Sequence, residues 1–299
     1  MKIVQISHYR LPVLKYGGTQ RVIYWNSKAI AELGHKVYLI SREGTEMENV
    51  EVIFTPGRVK DYNPYIPDDA DIAHIYYTPE IPIDIKHIIT IEGNGKPGER
   101  FLPNTVGVSR DHAARHGFST FVYNGLDPRE YLYREKKDDY FLFLSKVSWR
   151  VKGVKIAIEL AKRMGFKLII AGGWRLSMRK NIKYCGEVGG VEKSRLLAGA
   201  RALIFPIQWE EPFGLAAIEA LVSGTPVITT NRGAMSEIVT PEVGFRCDTI
   251  EQMEEAVKNI HEINPADCRK RVMDGFTAKI MAKNYVKLYD RLLAGGKLN

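Results

Sequence analysis

Two stretches of the sequence concentrate groups able to bind or stabilise charge. The first is Gln208-Trp209-Glu210-Glu211-Pro212-Phe213-Gly214-Leu215-Ala216-Ala217-Ile218-Glu219. Pro212 and Gly214 permit a tight turn that brings backbone N–H groups near a ligand. The apolar run after Gly214 opens a helix whose positive dipole end suits a phosphate or a polarised sugar. Glu211 stands before that helix and Glu219 more than one turn inside it. The two carboxylates either hold hydroxyls at two ends of one ligand, or serve as a cap and a surface residue; spacing alone leaves both open. The second stretch is Ser145-Lys146-Val147-Ser148-Trp149-Arg150-Val151-Lys152-Gly153. Lys146, Arg150 and Lys152 suit a diphosphate, and Gly153 lets the next helix begin close to it. A merely solvated loop is also Lys-rich, but it rarely sets Trp149 and Val151 between its charges, so phosphate binding is the favoured reading.

Both stretches follow short apolar runs, and such runs alternate with helical periodicity almost throughout. In the first half the strand candidates are 2–7, 36–41, 50–55, 72–77, 87–91, 105–108 and 120–123, with a helix over 19–33 closed by Gly34. The pattern restarts with strands at 140–144, 167–171, 183–185, 202–205, 226–229 and 244–246, and helices at 154–164, 191–199, 215–222 and 250–260. Most of the first-half runs are continuously apolar rather than alternating, as expected for parallel strands covered on both faces. Two βα series with a charged join at 134–139 imply two doubly wound α/β domains. The expected division is an amino-terminal domain over 1–130, a carboxy-terminal domain over 131–276, and a final helical segment over 277–299. Ligands of such sheets bind beyond the strand ends, so a cleft between the domains is the expected site.

The chain has 299 residues, 45% hydrophobic and 26% charged, which excludes wholesale disorder and fibrous repeats. No apolar run approaches the ~20 residues that span a bilayer. The apolar start is broken by Gln5, Ser7 and His8, too early for a secretory signal. Cys185, Cys247 and Cys268 form no CxxC pair, which argues against a disulfide framework and for a cytoplasmic setting. The net charge of +8 is uneven: residues 1–130 sum to −1 and the remainder to +9. An anionic partner of the second half is expected, against the bland reading of a solvated basic surface. The last helix aligns Lys279, Lys283 and Lys287, the solvated side of a packed helix or a peripheral membrane contact.

In order and spacing these motifs resemble the retaining glycosyltransferases of family 4, which have the GT-B fold of two Rossmann-like domains facing across a cleft. Tyr16-Gly17-Gly18-Thr19-Gln20-Arg21 resembles the family's glycine loop, Asn124-Gly125-Leu126-Asp127 the close of its first domain, and Glu211 to Glu219 its E-x7-E motif. Lys146 and Lys152-Gly153 resemble its basic diphosphate site, with Ser145-Lys146 where Gly-Arg is usual, and the helix over 277–299 resembles the one that in this fold packs back on the first domain. The resemblance implies transfer of a hexose from a nucleotide-diphosphate sugar to a hydroxyl acceptor, with retention and without a metal ion or cofactor. It assigns catalysis to Glu211, Lys152 and Lys146. Substrate binding falls to Gly17, Gly18, Arg150, Phe213, Gly214, Leu215, Glu219 and, for the base, the backbone near Val188.

One departure is Glu92, which stands where the family often has a His. It either binds the sugar, acts as a base towards the acceptor, or is structural, and His8 is a second candidate there. Asp69-Ala70-Asp71 precedes a strand and is read as a turn; His112 and His116 lack an acidic partner for a metal. The acceptor (glycan, lipid-linked or small molecule) is not named by the side chains. A non-catalytic nucleotide-sugar binder of the same fold is the alternative. Nucleic acid is not expected as a partner, since no motif for it is recognisable, and an epimerase fits the motifs less well.

Overall fold

The computed structural model describes residues 1–96, 98–177 and 179–298. Among these, the chain divides into two compact units, each built on a six-stranded parallel sheet. The first unit takes residues 1–13, 17–126 and the stretch from Thr277 onward; the second takes 14–16 and 127–276.

In the first unit the strands are β1 (Lys2–Ile6), β2 (Lys36–Arg42), β3 (Glu51–Thr55), β4 (Ile72–Ile75), β5 (His87–Thr90) and β6 (Thr105–Val106), in the order β3-β2-β1-β4-β5-β6. Its helices are α1 (Gly18–Glu32), α2 (Arg110–Arg115) and, from the far end of the chain, α9 (Ala278–Leu293). The strands are buried on both faces, and alternation sorts their side chains. Val4, Ile6, Ala73, Ile75 and Ile89 enter one apolar cluster. The residues between them, Gln5, His74 and Thr90, point the other way and are bonded through tyrosine hydroxyls. Asn26 of α1 donates to Tyr76 (2.8 Å), Tyr76 to Gln5 (2.7 Å) and Gln5 to the Tyr289 hydroxyl (3.3 Å). Tyr289 meets His74 Nδ1 at 2.7 Å, His74 Nε2 meets Thr90 at 2.8 Å, and Thr90 meets Tyr285 at 3.0 Å. Burial pushes the His74 imidazole down to about 3, so it stays neutral within this chain. Helix α9 is thereby bonded to three strands of the sheet.

In the second unit β7 (Phe141–Leu144), β8 (Leu168–Ala171), β9 (Ile182–Tyr184), β10 (Leu203–Phe205), β11 (Val227–Thr230) and β12 (Gly244–Cys247) form the order β12-β11-β10-β7-β8-β9. The helices are α3 (Val154–Met164), α4 (Gly190–Gly199), α5 (Leu215–Val222), α6 (Met235–Ile238), α7 (Ile250–Asn259) and α8 (Pro265–Gly275). Phe141, Phe143, Leu168, Ile170, Ile204 and Met253 sit in its core. Numbered within its own unit, each sheet reads 3-2-1-4-5-6, the doubly wound order with a switch point between its first and fourth strands.

Three features differ from the sequence reading. Residues 120–123 form no strand and contribute one bridge, Gly107 to Phe121, because β6 beside them is only two residues long and the ladder ends there. Helix α8 was not anticipated; Asn264 caps it and Pro265 opens it. The first unit ends at Leu126, since the turn at Pro128–Glu130 packs against α4 of the second unit. Charge is redistributed as well. With α9 and its lysines counted where they pack, the first unit holds 18 Lys+Arg against 15 Asp+Glu (+3) and the second 25 against 20 (+5).

Candidate functional site

At the switch point of the second unit β7 and β10 lie side by side. The loops leaving their carboxyl ends are the two stretches that carry the chemistry. They touch backbone to backbone: Gln208 N–H donates to the Val151 carbonyl at 2.6 Å. Gly153 makes this contact possible. It has φ +75°, and a Cβ there would stand 1.9 Å from the Pro206 carbonyl oxygen. With the loops joined, Lys152 and Glu211, both buried, form an ion pair with Nζ 2.7 Å from Oε2. Trp209 Nε1 donates to the same oxygen at 2.6 Å, and the Lys152 ammonium lies 4.7 Å from the Trp209 ring centroid. A buried ammonium with further donors and a buried carboxylate are thus fixed side by side, groups chemically able to meet an anion and a hydroxyl.

Glu219 is also buried, so it is not the surface residue that spacing left open. It accepts from the Tyr131 hydroxyl at 2.7 Å and pairs with Lys193 Nζ. Lys193 and Tyr131 went unnoticed in the sequence. The signal was present: Lys193 lies on the buried face of α4 with Ser194, Leu197 and Ala198, where a lysine has to find a carboxylate.

Apart from the four-residue α6, which follows Ala234, helix N-termini sort into two groups. Helices α2, α7, α8 and α9 are capped by the side chains of Ser109, Thr249, Asn264 and Thr277. Helices α1, α3, α4 and α5 instead follow Gly17, Gly153, Gly189 and Gly214 and have no side-chain cap. A glycine at this position contributes no side-chain acceptor to the first amides, and an anion is what the dipole of a helix N-terminus favours. Gly214 has φ +102° and lies against the Met235 methyl group; Phe213 is buried against Phe276, and Leu215 begins α5 half-exposed. Lys146 is half-buried, 5.8 Å and 5.6 Å from the rings of Tyr16 and Trp149, while Arg150 is exposed. Val188 is buried.

Gly17, Gly18 and Glu92 belong to the first unit. Glu92 follows β5. Its Oε2 accepts from Asn124 Nδ2 at 2.7 Å, whereas its buried Oε1 has no hydrogen-bond partner among the described residues. Burial pushes this carboxyl up to about 7, partly offset by the Asn124 bond. His8 Nδ1, after β1, and Asn124 Oδ1 are likewise enclosed without a partner among the described residues. Asp69 pairs with Lys2 at 2.7 Å and Asp71 accepts from the Lys2 amide at 2.7 Å, so this pair closes a turn. His112 is bonded to Val108 N–H and the Gly93 carbonyl. Among the described residues no three His, Cys, Asp or Glu side chains converge as a metal site.

Residues 129–271, just under half of the chain, match the family model described as glycosyl transferases group 1. The chain is 24% identical over 250 residues, 78% of its length, to the O-antigen chain mannosyltransferase RfbU of Salmonella typhimurium. It spans less than two thirds of the curated relatives it matches: 64% of that mannosyltransferase and 38% of an uncharacterized glycosyltransferase of Methanocaldococcus jannaschii. Among solved structures it is similar to AviGT4, a glycosyltransferase involved in avilamycin A biosynthesis, with a TM-score of 0.81 and 24% identity over 100% of this chain and 99% of that one. It is also similar to Anabaena Alr3699/HepE in complex with UDP-glucose, with a TM-score of 0.71 and 12% identity over 97% and 99% of the two chains. The fold is therefore that of the GT-B glycosyltransferases, and the unit that matches group 1 is the one holding the Lys152–Glu211 pair.

Proposed function

We propose that the protein is a retaining, metal-independent glycosyltransferase that moves a hexose from a nucleotide-diphosphate sugar to a hydroxyl acceptor. The observation that carries this reading is the buried Lys152–Glu211 pair at the switch point of the unit that matches group 1 glycosyltransferases. The UDP-glucose bound in a structural neighbour supports the donor class.

In this mechanism the bond from the anomeric carbon to the diphosphate breaks, and negative charge gathers on the departing phosphate. Lys152, Lys146 and Arg150 balance that charge, aided by the amides of Phe213, Gly214 and Leu215 at the open end of α5. Groups set in place before the charge develops stabilise the transition state more than the ground state. Glu211 holds hexose hydroxyls, and Glu219, steadied by Lys193 and Tyr131, holds the ribose. The backbone at Val188 meets the base. Gly17, Gly18 and Glu92 serve sugar and acceptor recognition. Cations supplied by the chain take the place of a divalent ion.

A thermal-shift series with UDP, GDP and ADP, followed by donor hydrolysis in the presence of EDTA, tests the proposal. One nucleotide at 100 times its Kd should add ~2.7 kcal/mol of stability. Hydrolysis should persist with the chelator. If no nucleotide raises the melting temperature, the donor assignment fails. Glu92 in place of a His favours a second reading, a non-catalytic binder, which predicts the shift without any hydrolysis.

A further inference from the structure

The lysines at the candidate site of the second unit differ in how their charge is met. Lys152 is paired with Glu211 and Lys193 with Glu219, so each of these buried pairs adds no net charge. A diphosphate carries more than one negative charge and gains most from cations that no carboxylate already balances. Lys146 is such a cation: it is half-buried and forms no ion pair among the described residues. Arg150, in the same loop, is also unpaired among them, but it is exposed and water screens it.

Lys146 is held by rings instead. Its ammonium lies 5.8 Å from the Tyr16 ring centroid and 5.6 Å from that of Trp149, and the two rings meet edge to face with centroids 6.5 Å apart. Aromatic faces attract an ammonium without neutralising it, whereas a carboxylate would cancel the charge on offer. Both supports are set by backbone contacts. The Val147 amide donates to the Gly172 carbonyl at 3.0 Å and the Trp149 amide to the Lys146 carbonyl at 3.1 Å. Tyr16 belongs to residues 14–16, the stretch before position 127 that packs with the second unit. This stretch lies on the backbone of Gly189, where a Cβ would strike the Leu14 carbonyl oxygen. Burial, then the Glu211 and Glu187 carboxylates, push the Tyr16 hydroxyl above its ordinary range, so the ring is neutral and stands within the field of both.

We propose that Tyr16 and Trp149 are positioning residues whose rings hold the Lys146 ammonium, unneutralised, for the diphosphate of the donor, an inference that rests on the nucleotide-sugar reading above. They act through Lys146 and take no part in bond breaking.

Calorimetric titration of the full chain tests this, with UDP, GDP and ADP and with uridine, guanosine and adenosine. For the base that the parent binds, the ratio of the nucleoside Kd to the nucleoside-diphosphate Kd measures what the phosphates contribute. Lys146→Met should reduce that ratio about 10-fold or more, the loss of a hydrogen bond to a charged group. Tyr16→Leu and Trp149→Leu should each reduce it about 5-fold, while Tyr16→Phe, which keeps a ring, should hold the parent value. In a Lys146→Met background Tyr16→Leu should cost nothing further. Tyr16 and Trp149 are 47% and 43% exposed, so the leucine variants should fold, which an unchanged melting temperature checks. An unchanged ratio in either leucine variant overturns the proposal, whether neither ligand is affected or both weaken alike. So does a loss in Tyr16→Phe as large as in Tyr16→Leu, or an undiminished Tyr16→Leu effect without Lys146. If the parent binds none of the three diphosphates, the donor reading falls and this inference with it; if it binds one and the ratio does not respond, the inference alone falls.

Discussion

Lys152 and Glu211 are charged groups enclosed in apolar surroundings, and each is the other's partner. Lys152→Ala should lower kcat with saturating donor by about 10²–10³-fold, the usual loss for one charge-stabilising donor; an unchanged kcat removes Lys152 from the chemistry. Lys193 makes a different demand, because it touches Glu219 and not the reacting atoms. Lys193→Met leaves the Glu219 carboxylate buried without its cation and should cost ~3–5 kcal/mol of stability. Lys193→Met/Glu219→Leu, which removes both charges, should recover most of that loss in urea unfolding. Glu92 supplies a pH dependence. Its carboxyl is raised from 4.5 to about 7, so between those values the folded chain keeps a proton that the unfolded chain has released. Stability therefore falls as pH rises through that window, by up to ~3 kcal/mol. Glu92→Gln should flatten the fall and melt higher than the parent at pH above about 7; equal pH profiles of the two would show that the buried carboxyl is not strained by ionisation.

Two glycines of helix α3 separate backbone strain from contact. Gly153 at its start and Gly165 at its end have φ +75° and +72°, but only Gly153 faces a neighbour, the Pro206 carbonyl at 1.9 Å from a Cβ. Gly165→Ala should cost ~1 kcal/mol, the strain of a left-handed residue. Gly153→Ala must also part the two switch-point loops, and should abolish donor binding and lower the melting temperature much further; equal effects would mean that the loops do not depend on their contact. This site was legible in sequence where local chemistry writes itself: a glycine where a helix must begin against a neighbouring loop, and an apolar run where a strand is covered on both faces. Helices α3 and α5 have the bounds that periodicity gave them. Helix α8 was hidden because only Cys268 and Val272 are buried in it, too few to make a stripe. The burial of Lys193 could be inferred from its place among the apolar residues of α4, but its partner, 26 positions away on another helix, could not. The tyrosines of α9 were hidden for the same reason, since Tyr289 finds Gln5 at a separation of 284 residues.

At the scale of the whole molecule the sequence division placed the positive charge in one half, and packing returned part of it to the other through Lys279, Lys283, Lys287 and Arg291 of α9. That helix holds the first unit by hydroxyls as well as by apolar contact. A chain stopped at Phe276 loses the Tyr285 and Tyr289 bonds to Thr90, His74 and Gln5, leaving those polar groups buried without partners. Amide hydrogen exchange of that truncation should show β1, β4 and β5 losing protection while β7, β8 and β10 keep theirs; protection retained across β1 and β4 would show that α9 is dispensable. The same feature sets an order of events during synthesis. When a ribosome has made the first 126 residues, the segment that completes their packing does not yet exist, whereas residues 14–16 and 127–276, the full set for the second unit, are all made before Thr277. The second unit can settle first, and the first unit has to wait, partly open and in need of shielding, until its closing segment clears the exit tunnel.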